Sequence, residues 1–357
     1  MFLLASLAPV DIEGTCCVLV LGGVLAETLS FLAELLLYLT DRKKSFSKGD
    51  GNGREEGRKL LGITLPIAFT TYVRSGLLTL EHILIPEGLR NSGSTHSAAL
   101  RAYGTIQSMA LPIILYPAAL ISSFAGLLVP EMAESSVQNG EKRISYMVCR
   151  VWSLSLLFSI GVAGILICFS GEIGQALYPN TQTAYYIRWL APLIPIMYVD
   201  TATDAMLKGL GQQVYSMKIN ITDALISVIL VWLLIPRYGI LGYVLTIYFS
   251  ETFNTVFSIN RLLSLCEPPV HLLKWVYKPL LCIVGATCGG RVLLLASRIV
   301  IPNPALSIVF HCLVVLILYL LLLLLTQSLD REDLQWIKTL FCKERSSTTR
   351  DAAHLQE

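Results

Sequence analysis

Residues 65–86 read LPIAFTTYVRSGLLTLEHILIP, an apolar run with Arg74 near its middle and Glu81-His82 close to its end. An arginine stays charged at every accessible pH, so inside such a run it requires a carboxylate, a phosphate or water. Its planar fork donates two hydrogen bonds at once, which suits phosphate oxygens. Acids stand in comparable surroundings: Glu27 in VLAETLSFLAELL, Asp200 and Asp204 in YVDTATDAMLKGLGQQ, Asp223 in ITDALISVIL, and Glu251 in IYFSETFN. Groups of these types handle anions, protons and metal cations. Bond-breaking chemistry has no counterpart here: there is no GxSxG, HExxH, P-loop or strand-borne GxGxxG. The chain is read as a non-enzyme without a cofactor or metal centre. Its nine cysteines lie mostly in apolar runs without metal-ligand spacing, and read as small buried hydrophobes.

The elements that must carry these groups follow from composition. Of 357 residues, 54% are hydrophobic and only 15% charged, whereas soluble domains carry about a quarter. The charge is clustered into short polar gaps. Between the gaps lie about nine apolar runs, at 15–40, 60–86, 103–130, 146–170, 184–207, 216–235, 239–262, 275–297 and 304–326. About 20 helical residues span about 30 Å of hydrocarbon, so these runs predict an all-α polytopic membrane bundle. The gaps SKGDGNG, NSGS, QNG, YPN, PRYG and IPNP carry turn chemistry. In the polar tail, LDREDLQWIKTLF reads as an amphipathic helix at the headgroups and SSTTRDAAHLQE as disordered.

Lysine and arginine alternate between rich and poor gaps along the chain, starting with the basic stretch DRKKSFSKGDGNGREEGRK at 41–59. Cytoplasmic loops hold the excess, which puts 41–59 and the C-terminus inside. Nine spans then leave Met1 outside with no targeting segment, so the sequence reads as the back part of a longer protein. The net charge of +2 points to no nucleic-acid partner.

A ruler of 1.5 Å per residue sorts the charges by depth. Arg74 lies about 21 Å from Leu60 and Glu81 about 31 Å, so Glu81 and His82 either sit at the outer interface or serve as ion partners. Glu251 is about 15 Å from Arg261; Asp200 is about 12 Å from Lys208 and about 18 Å from Arg188; Glu27 is about 21 Å from Asp41. Asp204 is one turn from Lys208 and reads as its ion-pair partner at the inner boundary. Asp223 falls in the inner third, and Arg188 and Arg291 lie near enough to the outer surface to snorkel. Arg74, Asp200 and Glu251 are thus the candidate substrate-binding residues, either around a polar cavity or in a buried ion-pair network. Glu27, Glu81, Asp204 and Asp223 are candidate ion-coupling or ion-pair partners. Pro66, Pro112, Pro117, Pro192 and Pro195 lie inside spans, as in the discontinuous helices of transporters. Gly285-x-x-x-Gly289 reads as a close-packing motif.

The strings LPIAFTTYVRSGLLTLEHILIPEGL, YGTIQSMALPIILYPAALISSFAGLLVPEMAE and LKGLGQQVYSMKINITDALISVILVWLLIPRYGILGYVLTIYFSETFN resemble the stage V sporulation protein B family of polysaccharide exporters. That family belongs to a superfamily with lipid II flippases and multidrug and toxin extrusion transporters. The resemblance covers about residues 15–330 and implies two six-helix lobes around a central cavity, with two extra C-terminal helices. On that template residues 1–40 hold the last helix of the front lobe and 41–59 a cytoplasmic inter-lobe linker. Residues 60–262 form the back transport lobe, 263–326 the extra pair and 327–357 a cytoplasmic tail. The implied function is alternating-access flipping of a lipid-linked oligosaccharide, polysaccharide or peptidoglycan precursor across the cell membrane. Arg74 would meet the phosphate, with membrane lipids as neighbours and H⁺ or Na⁺ as the coupling ion. The alternatives are a drug/cation antiporter and an inactive truncated remnant.

Overall fold

The computed structural model describes residues 12–45, 53–93, 95–137, 140–178, 181–266, 268, 273–297 and 304–328. The start of the chain, SKGDGNG apart from Gly53, and the tail beyond 328 lie outside the described residues. The described residues form helices: α1 Ile12–Ser45, α2 Gly53–Asn91, α3 His96–Leu115, α4 Ala118–Val137, α5 Glu141–Leu177, α6 Thr181–Leu190, α7 Ile194–Gly209, α8 Gln213–Tyr238, α9 Ile240–Leu265, α10 Lys278–Ser297 and α11 Pro304–Leu325. Each apolar run of the sequence coincides with one helix, except that 103–130 is divided into α3 and α4 and 184–207 into α6 and α7.

By length and apolarity, five of these elements can cross a membrane, and six if the bent pair α3–α4 is one span. Outside that count, which covers the described residues, are α2, α6, α7 and α9. Three of them carry Arg74, Asp200 with Asp204, and Glu251.

The two divided runs break at prolines. Pro117 offers no amide to the preceding turn, and α3 and α4 meet at a bend of 53°. The carbonyl of Ile114, beside that break, accepts a hydrogen bond of 2.8 Å from the buried Tyr198 hydroxyl on α7. Freed backbone groups at membrane depth need such a partner from a neighbouring helix. The second break is a 3-10 turn at Ala191–Leu193 containing Pro192, with Pro195 in the first turn of α7.

The chain divides into two compact units, residues 1–67 and 68–357. The first contains α1, whose apolar side chains such as Leu25, Leu29 and Phe31 are exposed. In the second, α5 is the hub, packed against α6, α7, α10 and α11, while α7 also packs on α4 and α9, and α8 on α9. Trp152 on α5 donates 2.9 Å to Thr203 on α7, and Tyr319 on α11 donates 2.8 Å to the Leu157 carbonyl on α5. A Cβ on Gly161 would stand 2.7 Å from the Tyr319 ring, and one on Gly164 would collide with Ile283 of α10. These glycines let α10 and α11 approach α5 closely. The Gly285–Gly289 pair makes no such approach. Gly289 faces open space, and a Cβ on Gly285 would make ordinary contact with Leu322. Gly290, one residue on, is the close approach to Val315 of α11. Spacing alone misplaced the contact by one residue because it does not specify how α10 is rotated.

Candidate functional site

The groups around Asp200 are positioned from the end of α7 upward. Gly211, with φ of 72°, closes that helix: its amide bonds to the Lys208 carbonyl at 3.1 Å and the Gln212 amide to the Leu207 carbonyl at 2.9 Å. This pairing satisfies the last carbonyls of the helix and needs a left-handed residue, which glycine adopts at least cost. The Gln212 side chain then holds Arg261 at 2.7 Å, joining the ends of α7 and α9. Gly209 lies where a Cβ would be 2.9 Å from the Val129 carbonyl of α4. The string KGLGQQ therefore seats α7 between α4 and α9 and fixes the height of the acids above Lys208.

Between these helices lies a cavity of about 520 Å³, within the range of small-molecule sites. Arg74 of α2, Asp200, Asp204 and Lys208 of α7, and Glu251 with Asn254 of α9 line it, together with Asn220 of α8. Four of the residues singled out in the sequence, Arg74, Asp200, Asp204 and Glu251, meet at one cavity. Both broken runs contribute to its wall, through Leu115 and Ala118 beside the first break and Met197 and Tyr198 after the second.

The charges in this cavity are unevenly partnered. Asp204 pairs with Lys208 at 2.7 Å and accepts a hydrogen bond from Ser216. Asp200 is deeper: one oxygen faces Ser258, while Oδ1 is buried without a hydrogen-bond partner among the described residues. An unpartnered buried carboxylate oxygen carries a desolvation cost. Glu251 is within electrostatic reach of Asp200 and Asp223, and makes no ion pair among the described residues. Arg74 is exposed at the cavity and likewise forms no ion pair within 4 Å among them; Asp223 is within its electrostatic reach.

The remaining acids divide between two places. Asp223 accepts 2.7 Å from Ser250 of α9, and Glu81 of α2 accepts 2.8 Å from Ser227 of α8; the two acids act on each other electrostatically. They form a second polar layer behind Arg74. Beside it the exposed His82 shares a 2.6 Å hydrogen bond with Tyr103. Glu27 is exposed on α1, within the unit of residues 1–67. Sequence reasoning passed over Asn220 and Asn254, whose side chains bond to each other at 3.2 Å on the cavity wall. Both lie one turn from a selected acid, Asp223 and Glu251, and that spacing is the signal that could have found them.

No family profile matches the chain. It is 24% identical to Stage V sporulation protein B of Bacillus subtilis (strain 168) over 245 residues, covering 67% of this chain and 47% of that protein. It is 20% identical to Sporulation protein YkvU of the same organism over 159 residues, covering 44% of this chain and 36% of that protein. Among solved structures, a lipid II flippase MurJ in an inward closed conformation superposes with a TM-score of 0.53 at 13% identity, covering 84% of this chain and 61% of the other. The chain spans less than half the length of these two curated relatives. The chain is a polytopic helical membrane protein, similar in sequence to part of Stage V sporulation protein B and in fold to part of the lipid II flippase.

Proposed function

We propose that the chain is the back portion of a membrane flippase, a transporter and not an enzyme, moving a lipid-linked anionic saccharide by alternating access. Oligosaccharide, polysaccharide and peptidoglycan precursors share the phosphate-sugar headgroup this reading requires. The supporting observation is Arg74, an intramembrane guanidinium that lines a polar cavity and has no ion-pair partner among the described residues. Arg74 would clamp a phosphate, with Asp200 and Glu251 contacting the headgroup or orienting the arginine. Glu81, Asp204, Asp223 and Glu27 would hold a coupling proton or Na⁺, or serve as ion-pair partners. In this reading residues 60–262 are the transport lobe, 263–326 an added helix pair, 1–40 the end of a front lobe and 41–59 the linker. Lysine and arginine placement favours a cytoplasmic linker and C-terminus in the cell membrane. The sporulation names of the relatives suggest a role in building spore or cell-wall polymer.

The test is reconstitution into liposomes with a fluorescent lipid-pyrophosphate analogue, scored for binding and for flipping. Loss of a bidentate charged contact should weaken binding by roughly tenfold to a hundredfold in Arg74→Ala, and Arg74→Lys should recover only part of it. Unchanged binding in folded Arg74→Ala would remove the phosphate role.

A second reading, drug/cation antiport, is favoured by the acids: three line the cavity against Arg74 and Lys208, and Asp200 Oδ1 lacks a partner. Gradient-driven uptake of a cationic dye, lost in Asp200→Asn and kept in Arg74→Ala, would select it.

A further inference from the structure

A second cavity, of about 700 Å³, lies between α5, α6 and α10. The sequence places Arg188 and Arg291 near a membrane surface, where each could reach water independently. The structure instead brings both into the wall of this one pocket, with Glu172 as the acid among the residues around it. We propose that the pocket binds the phosphate of an anionic lipid headgroup, held between Arg188 and Arg291, in the leaflet opposite the Lys208 end.

Three observations carry this. The first is charge. Two guanidinium groups from different helices face one carboxylate, and among the described residues neither forms an ion pair within 4 Å. Positive charge left unneutralised in a partly enclosed pocket attracts an anion.

The second is pre-organisation. Helix α5 leaves helical geometry at Phe169, with φ of −109° and ψ of 16°. The carbonyl just before it, on Cys168, accepts a 3.0 Å hydrogen bond from Nη2 of Arg291. That bond fixes one corner of the guanidinium while its other N–H groups remain to be satisfied. A side chain held in this way loses less freedom on gripping a ligand than a snorkelling one does.

The third is depth. Arg188 precedes Lys208 by 20 residues of helix interrupted only by the 3-10 turn at Ala191–Leu193, about 30 Å along the chain at 1.5 Å per residue, which is one hydrocarbon thickness. Tyr185 and Trp189, with ring centroids 5.8 Å apart, are half-exposed beside Arg188. Exposed aromatic pairs of this kind sit at headgroup level. A phosphate at that level is held by a lipid or arrives as a soluble phosphate ester; the depth and the aromatic pair favour the lipid. This pocket is separate from the one containing Arg74 and does not depend on the transport reading.

The experiment is native mass spectrometry of the full chain released from detergent micelles, titrated with phosphatidylglycerol, with phosphatidylcholine and with inorganic phosphate. The wild type should retain phosphatidylglycerol in preference to phosphatidylcholine, whose ammonium group would meet the arginines. Arg188→Gln should weaken retention by roughly tenfold, as expected for one charge-assisted contact. Arg188→Gln combined with Arg291→Gln should abolish the preference, and Arg188→Lys, which keeps the charge without the fork, should fall between. Arg237→Gln, an exposed arginine outside the pocket, controls for general surface charge. Because Arg291 also holds the Cys168 carbonyl, Arg188→Gln alone decides if the double variant does not fold. Equal retention by wild type and Arg188→Gln, or no preference between the two lipids, overturns the proposal. Binding of inorganic phosphate with no lipid retained overturns the lipid source and assigns the pocket to a soluble phosphate ester.

Discussion

Helix α5 and the 68–91 stretch of α2 both carry polar groups within apolar runs and have opposite surroundings. Helix α5 is packed against α6, α7, α10 and α11, and the space over its Gly161 and Gly164 is already filled by Tyr319 and Ile283. Residues 68–91 of α2 are buried at Ile85, Gly88 and Leu89, while Phe69, Tyr72 and Ile83 are 68%, 77% and 63% exposed. Packing density therefore separates a structural helix from one whose polar groups remain available. On α5 the Trp152 side chain ties two helices of the bundle together through Thr203 of α7, and the Ser159 hydroxyl is spent within its own helix on the Leu156 carbonyl. On α2, Arg74 points into a cavity with no ion pair among the described residues.

If that contrast holds, substitutions on the two helices should separate stability from binding. The largest stability loss is expected for Gly164→Val, because Ile283 occupies the space and the α5–α10 approach must open. Overpacking of this kind costs about 1–3 kcal/mol, read as a lower thermal midpoint of the detergent-solubilised protein. A midpoint equal to wild type would mean that α10 does not pack on α5 as described. Tyr198→Phe should follow, at about 1–2 kcal/mol, since the Ile114 carbonyl beside the Pro117 break would lose its buried donor. Lys208→Met removes a half-exposed ion pair, which solvent screens, and should shift stability by no more than about 1 kcal/mol. Smallest are Phe69→Ala and Arg74→Ala, each within about 0.5 kcal/mol, as for exposed positions generally. Of these two, only Arg74→Ala should alter binding of the lipid-pyrophosphate analogue. A large midpoint loss in Arg74→Ala would instead make this arginine a packing residue and erase the contrast.

The charged candidates were legible one at a time. A charge in an apolar run carries an insertion cost of about 2.5–3.5 kcal/mol, so its presence alone marks Arg74, Asp200 and Glu251. Asn220 and Asn254 went unnoticed because a neutral amide carries no comparable cost, although both line the same cavity. The small-residue motif in α10 failed for another reason. That helix is apolar on nearly every side, so its sequence contains little record of which face meets α11, and Gly290 rather than Gly289 proved to be the close contact.

What the sequence determined by itself is one-dimensional: the positions of the helices, the groups each one carries and the prolines where two runs break. These follow from backbone satisfaction in hydrocarbon and from the length of chain needed to cross it, and both are local properties. Only the tertiary structure decided which of these groups meet. It placed Arg74, Asp200, Asp204 and Glu251 on one cavity, left Asp200 Oδ1 without a partner among the described residues, and joined Arg188 and Arg291 in another pocket. Such coincidence depends on the rotation of each helix about its axis. In apolar surroundings that rotation is set by close packing, at Gly161 against Tyr319 or Gly209 against Val129, and not by a hydrophobic face that could be read along the chain.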